Sequence, residues 1–136
     1  MFTAKDIMTT RVVTVNVDDR VDRAIALMIK HRISGLPVLD AQGRPVGVIS
    51  EFDLLELICQ GQTGQDKVSH YMSPGLYSVA TGDSWVTVAD TFREKHIRRL
   101  PVLSDGKLVG IVTRHDLMPA IRPARRRMRQ ELAQHG

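Results

Sequence analysis

Cysteine, aromatic residues and long apolar runs are all scarce in this chain, and each scarcity excludes a class of protein. Cys59 is the only cysteine, so one chain can form neither an internal disulfide nor a site with several thiolate ligands. No stretch approaches the ~20 consecutive apolar residues that a membrane-spanning helix requires. The N-terminus lacks the basic and then apolar pattern of a secretory signal. We therefore expect a cytoplasmic protein that does not span a membrane.

The basic residues are unevenly distributed along the chain. Residues 122–136 contain five arginines and one glutamate, so the formal net charge of +4 lies entirely in this C-terminal segment. The rest of the chain is balanced and has no excess charge with which to attract a nucleic acid. A hydrophobic fraction of 43% is typical of a globular protein, but 136 residues are too few for a catalytic barrel of roughly 250 residues.

The chain contains two copies of one sequence pattern. The segment ISGLPVL at 33–39 returns 64 residues later as IRRLPVL, and GVISEFDL at 47–54 returns 63 residues later as GIVTRHDL. The spacing changes by one in the turn between these segments, where a change in length costs little. The matches predict one repeat at 4–58 and a second at 68–121. A polar linker at 59–67 joins them, and a basic tail or helix follows at 122–136.

Each repeat is predicted to run strand, helix, strand, strand, helix. A β-prone run at 11–15 precedes a helix that Asp18 or Asp19 is expected to cap. Two apolar strands at 36–39 and 45–49 then flank an Asp-x-x-Gly turn, which predicts a hairpin. Ser50 is expected to cap the last helix. The spacing predicts these inward residues: Val21, Ala24, Ile25, Met28 and Ile29 on the first helix, Leu54, Leu55 and Ile58 on the last, and Trp85, Val88, Ala89 and Phe92 in the second repeat.

The size of the repeats predicts how they combine. A repeat of about 55 residues buries too little surface to be stable alone. We therefore expect two pseudo-symmetric halves that pack sheet against sheet, in a fold of the α/β (α+β) class.

The junction between the last strand and the last helix of each repeat carries a hydroxyl and a carboxylate. These are Ser50 and Asp53 in the first repeat, and Thr113 and Asp116 in the second. A hydroxyl beside unpaired N–H groups at a helix N-terminus suits a phosphate. A carboxylate one turn further on can accept hydrogen bonds from the vicinal hydroxyls of a ribose. The pattern favours a nucleoside phosphate, although an ordinary capped helix would use the same residues.

The duplicated pattern resembles the CBS domain pair, or Bateman module, over residues 4–121. The matching features are the opening Asp-Ile-Met-Thr from Asp6 to Thr9, the Ile-Ser-Gly-Leu-Pro-Val segment, and Gly-h-h-Ser/Thr-x-x-Asp, where h is hydrophobic. The resemblance implies two halves packed with pseudo-twofold symmetry, with two clefts in which many members bind adenosine nucleotides. It also implies that two modules associate into a flat, disc-like homodimer.

The same resemblance assigns residues to these clefts. The Leu-Pro segments line the base pocket in this family, and a proline there removes a ladder donor, which leaves backbone groups free to contact a purine. A proline on an edge strand is the alternative interpretation. The other half of each cleft is expected from the partner repeat. The candidate ligand-binding residues are Thr14, Asp19, Ile33, Ser34, Gly35, Leu36, Pro37, Ser50, Asp53, Ser78, Asp83, Ile97, Arg98, Arg99, Leu100, Pro101, Thr113, Arg114 and Asp116.

The two predicted sites differ in charge. The site around Asp116 has three arginines available, and the family often uses the positions of two of them to reach phosphates. The arginines are Arg98, Arg99 and Arg114, and their counterparts around Asp53 are Ser34, Gly35 and Glu51. Phosphate oxygens prefer a guanidinium partner and are repelled by a carboxylate. We therefore expect an anionic ligand to bind more tightly at Asp116, with Arg114 as a solvent-exposed side chain the alternative for that residue.

Neither a metal site nor a catalytic site is expected. The five histidines lack His-x-x-x-His spacing, and no serine or cysteine lies in a nucleophile motif. Cys59 is expected to be a small buried or half-buried apolar residue. The chain is therefore predicted not to be an enzyme and to need no cofactor. Its expected ligand is AMP, ADP or ATP, with NAD and S-adenosylmethionine as alternatives.

The basic tail is treated as a separate element. Pro119 is expected to end the last helix of the second repeat, and Pro123 to begin another helix. Ala124, Met128 and Leu132 would form a stripe on it, with the arginines on other faces. The tail either packs on the module or its dimer mate, or contacts a nucleic acid or an acidic surface.

The sequence as a whole predicts a regulatory module that senses an adenosine nucleotide. Ligand binding would favour one arrangement of the module or of a homodimer, which a protein effector detects. Two alternatives remain: a dimerisation scaffold that binds no ligand, and a nucleic-acid-associated regulator that acts through the tail.

Overall fold

The computed structural model describes residues 2–61 and 66–135, so residues 62–65 of the predicted linker lie outside the described residues. Two 3₁₀ turns span Val68–His70 and His115–Leu117. The helices are α1 (Ala4–Ile7), α2 (Val21–His31), α3 (Glu51–Cys59), α4 (Trp85–Lys95) and α5 (Met118–His135). The strands are β1 (Val15–Asn16), β2 (Gly35–Leu39), β3 (Pro45–Ser50), β4 (Ser73–Pro74), β5 (Val79–Ala80), β6 (Arg99–Ser104) and β7 (Lys107–Thr113).

The predicted order of strand, helix, strand, strand, helix is confirmed in both halves. One sheet has the strand order β1-β2-β3-β4, and the other has the order β5-β6-β7. β2 and β3 form the expected antiparallel hairpin, while β1 runs parallel to β2. Asp40 closes the hairpin, since its Oδ1 atom accepts the backbone N–H groups of Gln42 and Arg44, each at 2.9 Å.

Two compact units are present, and their boundaries differ from those of the repeats. The first unit comprises residues 12–77 with 105–108, and the second comprises 1–11, 78–104 and 109–136. α1 therefore belongs to the second unit, where the N–H of Ala4 donates to the carbonyl of Asp83 at 2.8 Å. In the first unit, the N–H of Val68 donates to the carbonyl of Asp19 at 2.8 Å. Each unit is thus completed by the N-terminal segment of the other repeat.

Each unit has its own apolar core beneath its sheet. Burial of these side chains supplies the main driving force for folding of each unit. The core of the first unit consists of Val15, Ala24, Met28, Leu36, Val38, Ile49 and Val68. The core of the second unit consists of Ala4, Val79, Val88, Phe92, Leu100, Val102, Val112 and Leu117.

The predicted helix faces are correct only in part. α4 buries Val88 and Phe92, with Trp85 and Ala89 packed against the same core, as expected. On α2 the prediction is wrong for Ile29, which is 73% exposed. On α3 it is wrong for Leu55 and Ile58, which are 58% and 69% exposed, because the helix instead packs Leu54 against the core and buries Leu57. Three leucines within four residues fit two helical phases, so the spacing could not choose between them.

The first strand and the first helix cap also differ from the prediction. β1 contains only Val15 and Asn16, not the whole of 11–15. The N-cap of α2 is Arg20 rather than Asp18 or Asp19. The carboxylate of Asp19 instead accepts the N–H of Asn16 at 2.9 Å, so it closes the turn before the helix. The Asp19 carboxylate bonds to the turn and does not cap α2 as the sequence suggested.

The C-terminal segment forms one helix rather than two. α5 runs from Met118 to His135 with Pro123 inside it, so the expected break at Pro119 is wrong. Pro119 lies in the first turn, where backbone N–H groups have no intrahelical acceptor and a missing donor costs nothing. Pro123 does not begin a second helix, although it removes one hydrogen bond from this one. Among the described residues, no helix is long and apolar enough to cross a membrane.

A pair of equivalent glycines provides a test of packing in the two units. A Cβ atom on Gly47 would lie 2.5 Å from the carbonyl oxygen of Ser73, whereas one on Gly110 would meet the side chain of Met8. We expect Gly47→Ala to lower the free energy of unfolding by about 1–3 kcal/mol, because backbone must move. Gly110→Ala should cost less, since the Met8 side chain is flexible. Equilibrium urea unfolding of both variants measures this, and an equal or larger loss for Gly110→Ala would contradict it.

Candidate functional site

Asp53 in the first unit has both carboxylate oxygens occupied. Its Oδ2 atom accepts the backbone N–H and the hydroxyl of Ser50, at 2.9 and 3.0 Å. Its Oδ1 atom accepts the hydroxyl of Ser73 at 3.1 Å. In return, the N–H of Asp53 donates to Ser50 Oγ at 3.3 Å. The capping arrangement that the sequence offered as an alternative is therefore present here.

The expected phosphate cradle at the start of α3 is not open. The N–H of Glu51 donates to the carbonyl of Ser34 at 2.9 Å, and the N–H of Asp53 is taken by Ser50. The prediction of free N–H groups is therefore wrong for these two residues. A phosphate at this helix N-terminus would have to displace hydrogen bonds that the fold already makes.

Asp116 in the second unit is held differently. Its Oδ2 atom accepts the N–H of Thr113 at 2.8 Å. Within residues 2–61 and 66–135, its Oδ1 atom has no hydrogen-bonding partner. The helix expected directly after Thr113 is wrong, because a 3₁₀ turn at His115–Leu117 follows and α5 begins only at Met118. The site at Asp116 therefore offers a carboxylate oxygen and no long helix N-terminus.

Asp19 and Asp83 are each held by a hydrogen bond from the backbone N–H three residues before them. The N–H of Asn16 donates to Asp19 and the N–H of Ala80 donates to Asp83, each at 2.9 Å. In the first unit, Asp19 follows the end of β1 that lies beside Leu39, whereas Gly35 at the other end of β2 pairs with Ser50. Asp19 and Asp53 thus lie at opposite ends of one sheet, and this unit does not bring them together.

The Leu-Pro segment does lie beside the hydroxyl junction. Gly35 pairs with Ser50 across the β2–β3 hairpin, and Pro37 pairs with Val48. β2 is an inner strand of its sheet, but its pairing with β1 covers only Val38 and Leu39, so the edge-strand interpretation still fits Pro37 locally. β1 begins opposite Val38, which leaves the start of β2 without a strand on that side and brings Thr14 towards Pro37.

The equivalent segment of the second unit follows the same plan. Val79 pairs with Val102 in parallel register, which brings Ser78 towards Pro101 on the inner strand β6. Leu36 and Leu100 are fully buried in their cores, so only their backbone can contact a ligand. Ile33 and Ile97 are half-buried at the start of the same segments.

The three predicted arginines all lie in the second unit. Arg98 is exposed before β6, and Arg99 is half-buried at its start. Arg114 lines a groove of about 460 Å³ that differs from the cavity of Asp116. The groove is lined by Ala89, Phe92, Arg93, His96, Arg114, Leu117 and Met118. Arg114 thus lies beside α4, and the contact of these arginines with a ligand at Asp116 stays a prediction.

Asp116 lines a cavity of about 570 Å³ in the second unit, mostly with residues that the sequence did not suggest. α1 supplies part of its wall, although α1 belongs in sequence to the other repeat. Arg122, which the sequence assigned to the separate tail, lines it as well. The full lining is Phe2, Asp6, Ile7, His115, Asp116, Met118, Pro119 and Arg122. Only the Asp-Ile-Met-Thr opening could have pointed to this wall, because it is part of the family motif.

Asp6, on the α1 wall of this cavity, is held as a carboxylate. The backbone N–H of Thr3 donates to its Oδ2 atom at 2.8 Å and so lowers the pKa of Asp6 below 3.8. The Thr3 hydroxyl, at 3.0 Å from the same oxygen, lowers the pKa further.

In the described part of the chain, no group of three or more His, Cys, Asp or Glu residues is placed to hold a metal ion. Cys59, expected to be at least half-buried, is exposed.

The lowered pKa of Asp6 makes a pH-dependent contribution to stability. Because the folded pKa lies below the unfolded one, the contribution is present above about pH 4 and is lost as the pH falls through the folded pKa. We expect Asp6→Asn to lower the melting temperature at pH 7, and the difference from the wild type to shrink at pH 3. Glu94→Gln, on the exposed face of α4, is the control. A difference that stays constant between the two pH values would contradict the assignment.

Comparison with known proteins identifies the family of this chain. The CBS domain family model matches residues 4–60 and again residues 68–123. This chain belongs to the CBS domain family. Its two repeats are therefore tandem CBS repeats, as the sequence motifs predicted.

Similar proteins include single CBS-pair proteins of nearly the same extent. The CBS domain-containing protein YhcV of Bacillus subtilis is 36% identical over 118 residues, which cover 86% of this chain and 84% of that protein. The crystal structure of CBSX2 in complex with AMP has a TM-score of 0.79 at 33% identity, covering 92% of this chain and 99% of that one. The CBS domain pair of MJ0100, in complex with 5′-methylthioadenosine and S-adenosyl-L-methionine, has a TM-score of 0.76 at 25% identity, covering 90% and 98%.

Proposed function

We propose that this CBS pair is a regulatory module that binds a phosphorylated adenosine compound, such as AMP, ADP or ATP, at Asp116. The proposal rests on the hydrogen bonding of the Asp116 carboxylate. Thr113 fixes one of its oxygens at 2.8 Å, the other has no partner among the described residues, and Asp116 lines a cavity of about 570 Å³. An oriented carboxylate can accept hydrogen bonds from ribose hydroxyls. The cavity also has the volume of typical small-molecule sites.

The structural neighbours support adenosine as the recognised part of the ligand. AMP is bound by CBSX2, and 5′-methylthioadenosine and S-adenosyl-L-methionine are bound by MJ0100. Adenosine is common to these three compounds, whereas phosphate is present in only one. We therefore include S-adenosylmethionine and NAD among the ligands to be tested.

The site around Asp53 is proposed to be the weaker one. Its carboxylate already accepts hydrogen bonds from Ser50 and Ser73 on its two oxygens. A ribose at this site must share those oxygens with the protein, so it gains less than at Asp116. This difference adds to the difference in charge between the two sites.

The proposed role is regulatory rather than catalytic, in a reducing cytoplasm where the exposed thiol of Cys59 stays reduced. Ligand binding would favour one of two arrangements, and an effector protein would distinguish them.

We propose that the functional form is a homodimer that buries the apolar side chains exposed on α3 and α5. These side chains are Phe52, Leu55, Ile58, Met128 and Leu132. Exposed apolar patches of this kind typically mark interaction sites.

Matched amide variants test the assignment of the two carboxylates. Asp116→Asn should weaken AMP binding by about tenfold or more, since it loses a charged acceptor of ribose hydroxyls. Asn can still accept the N–H of Thr113, so the turn should remain folded. Asp53→Asn should change the tight binding event by less than about threefold. Calorimetric titration of both variants with AMP measures the two effects.

The result that would reverse this assignment is a loss of the tight event in Asp53→Asn alone. Thermal-shift measurements with AMP, ADP, ATP, NAD and S-adenosylmethionine identify the ligand class independently. Stabilisation by none of the five compounds would favour a dimerisation scaffold without a ligand.

The homodimer is tested by its mass in solution. Light scattering at micromolar concentration should give twice the chain mass of 15.2 kDa. Leu55→Asp should shift the protein towards monomer, because it places a charge within the apolar face of α3. Gln60→Asp, in the exposed turn after α3, should leave the mass unchanged. A wild-type monomer with and without AMP would contradict the proposed dimer.

A further inference from the structure

Arg122 provides a cation in the cavity of Asp116 that the protein itself does not use. Arg122 lines the cavity together with Asp6 and Asp116. Even so, the side chain of Arg122 forms no ion pair or hydrogen bond with any residue in 2–61 or 66–135. The side chain is exposed, so its charge is available to a ligand that enters the cavity.

The position of Arg122 on α5 places it beside the other lining residues. Met118 and Pro119 lie one helical turn before it and line the same cavity. His115, in the preceding 3₁₀ turn, adds a second side chain that can donate a hydrogen bond. The carboxylate of Asp6 is ionised and held by Thr3, so it repels a phosphate from the α1 wall. Among the described charged residues that line the cavity, Arg122 is the one cation, so an anionic group that enters is expected beside Arg122 and away from Asp6.

The first unit has no counterpart of this cation. Offset by 63 residues, Cys59 stands where Arg122 does, and Phe52 stands where His115 does. Glu56 replaces Pro119, and α3 as a whole contains no lysine or arginine. Asp53 and Asp116 thus occupy equivalent positions but have residues of different charge around them. Asp116 shares its cavity with Arg122, whereas Asp53 lies in a helix of acidic and apolar residues.

We propose that Arg122 is the residue that makes the Asp116 cavity selective for phosphorylated adenosine ligands. This inference rests on the proposed function, in which Asp116 binds the ribose. Arg122 binds the phosphate through the planar, paired N–H groups of its guanidinium. The basic segment 122–136 therefore begins inside the binding site.

The test compares AMP with adenosine, because the two ligands differ only in the phosphate. Arg122→Gln should weaken AMP binding by about tenfold or more, since it removes a charge-assisted hydrogen bond. Adenosine binding should change by less than about twofold. Arg122→Lys should give an intermediate loss, because lysine keeps the charge without the paired donors. Glutamine and lysine are both good helix formers, so α5 should remain folded.

Arg127→Gln is the matched control. Arg127 is exposed on the same helix but does not line the cavity. Its replacement makes the same change in charge and should leave the affinities for AMP and adenosine unchanged. Asp116→Asn should weaken both ligands, because both contain the ribose. Calorimetric titration of the four variants and the wild type, with thermal melts to confirm folding, measures all of these affinities.

The outcomes separate this inference from the function on which it rests. If Arg122→Gln leaves the ratio of AMP to adenosine affinity unchanged while Asp116→Asn lowers both affinities, Arg122 is not the phosphate ligand and the proposed function stands. If Arg122→Gln and Arg127→Gln lower AMP affinity equally, the effect is one of overall charge and the assignment is wrong. If the wild type binds neither ligand at millimolar concentration, both proposals are wrong.

Discussion

One hydrogen bond recurs at five turns or helix starts in the described part of this protein. An aspartate accepts the backbone N–H of the residue three positions before it, at 2.8 or 2.9 Å. The bond fixes the course of the backbone at each of these positions, and it also fixes the orientation of the carboxylate. The aspartates are Asp6, Asp19, Asp53, Asp83 and Asp116. The same contact therefore supports the fold and orients the acids from which a ligand site can be made.

This shared origin explains why the capped-helix and ligand-binding interpretations of the sequence were difficult to separate. A carboxylate has two oxygens, and the local turn needs only one of them. Asp53 and Asp116 differ in the partner of the second oxygen, and the proposed function depends on this difference. Ser73 supplies that partner to Asp53, and no described residue supplies it to Asp116. The deciding residue lies 20 positions from Asp53 in the chain, beyond the reach of a motif.

The duplication made the order of secondary structure predictable, because two independent copies had to give the same pattern. The hairpin, the helix α4 and the family follow from it. Local spacing could not set the phase of α3, where Leu54 and Leu55 are adjacent and only one can face the sheet. It also could not show that α1 packs in the unit of the other repeat, so Asp6 and Arg122 were missed as cavity residues. These errors arise from tertiary contacts rather than from weak local signals.

The unbroken course of α5 has a mechanical consequence. A helix of 18 residues is about 27 Å long, at about 1.5 Å per residue. Its first turn forms part of a cavity wall, and its remaining turns project exposed side chains. A tilt of about 10° at the first turn would displace the last turn by roughly 5 Å over such a length. The length of α5 would therefore convert a small change in packing at its first turn into a displacement of several Å at its last turn, which a molecule in contact with that end could detect.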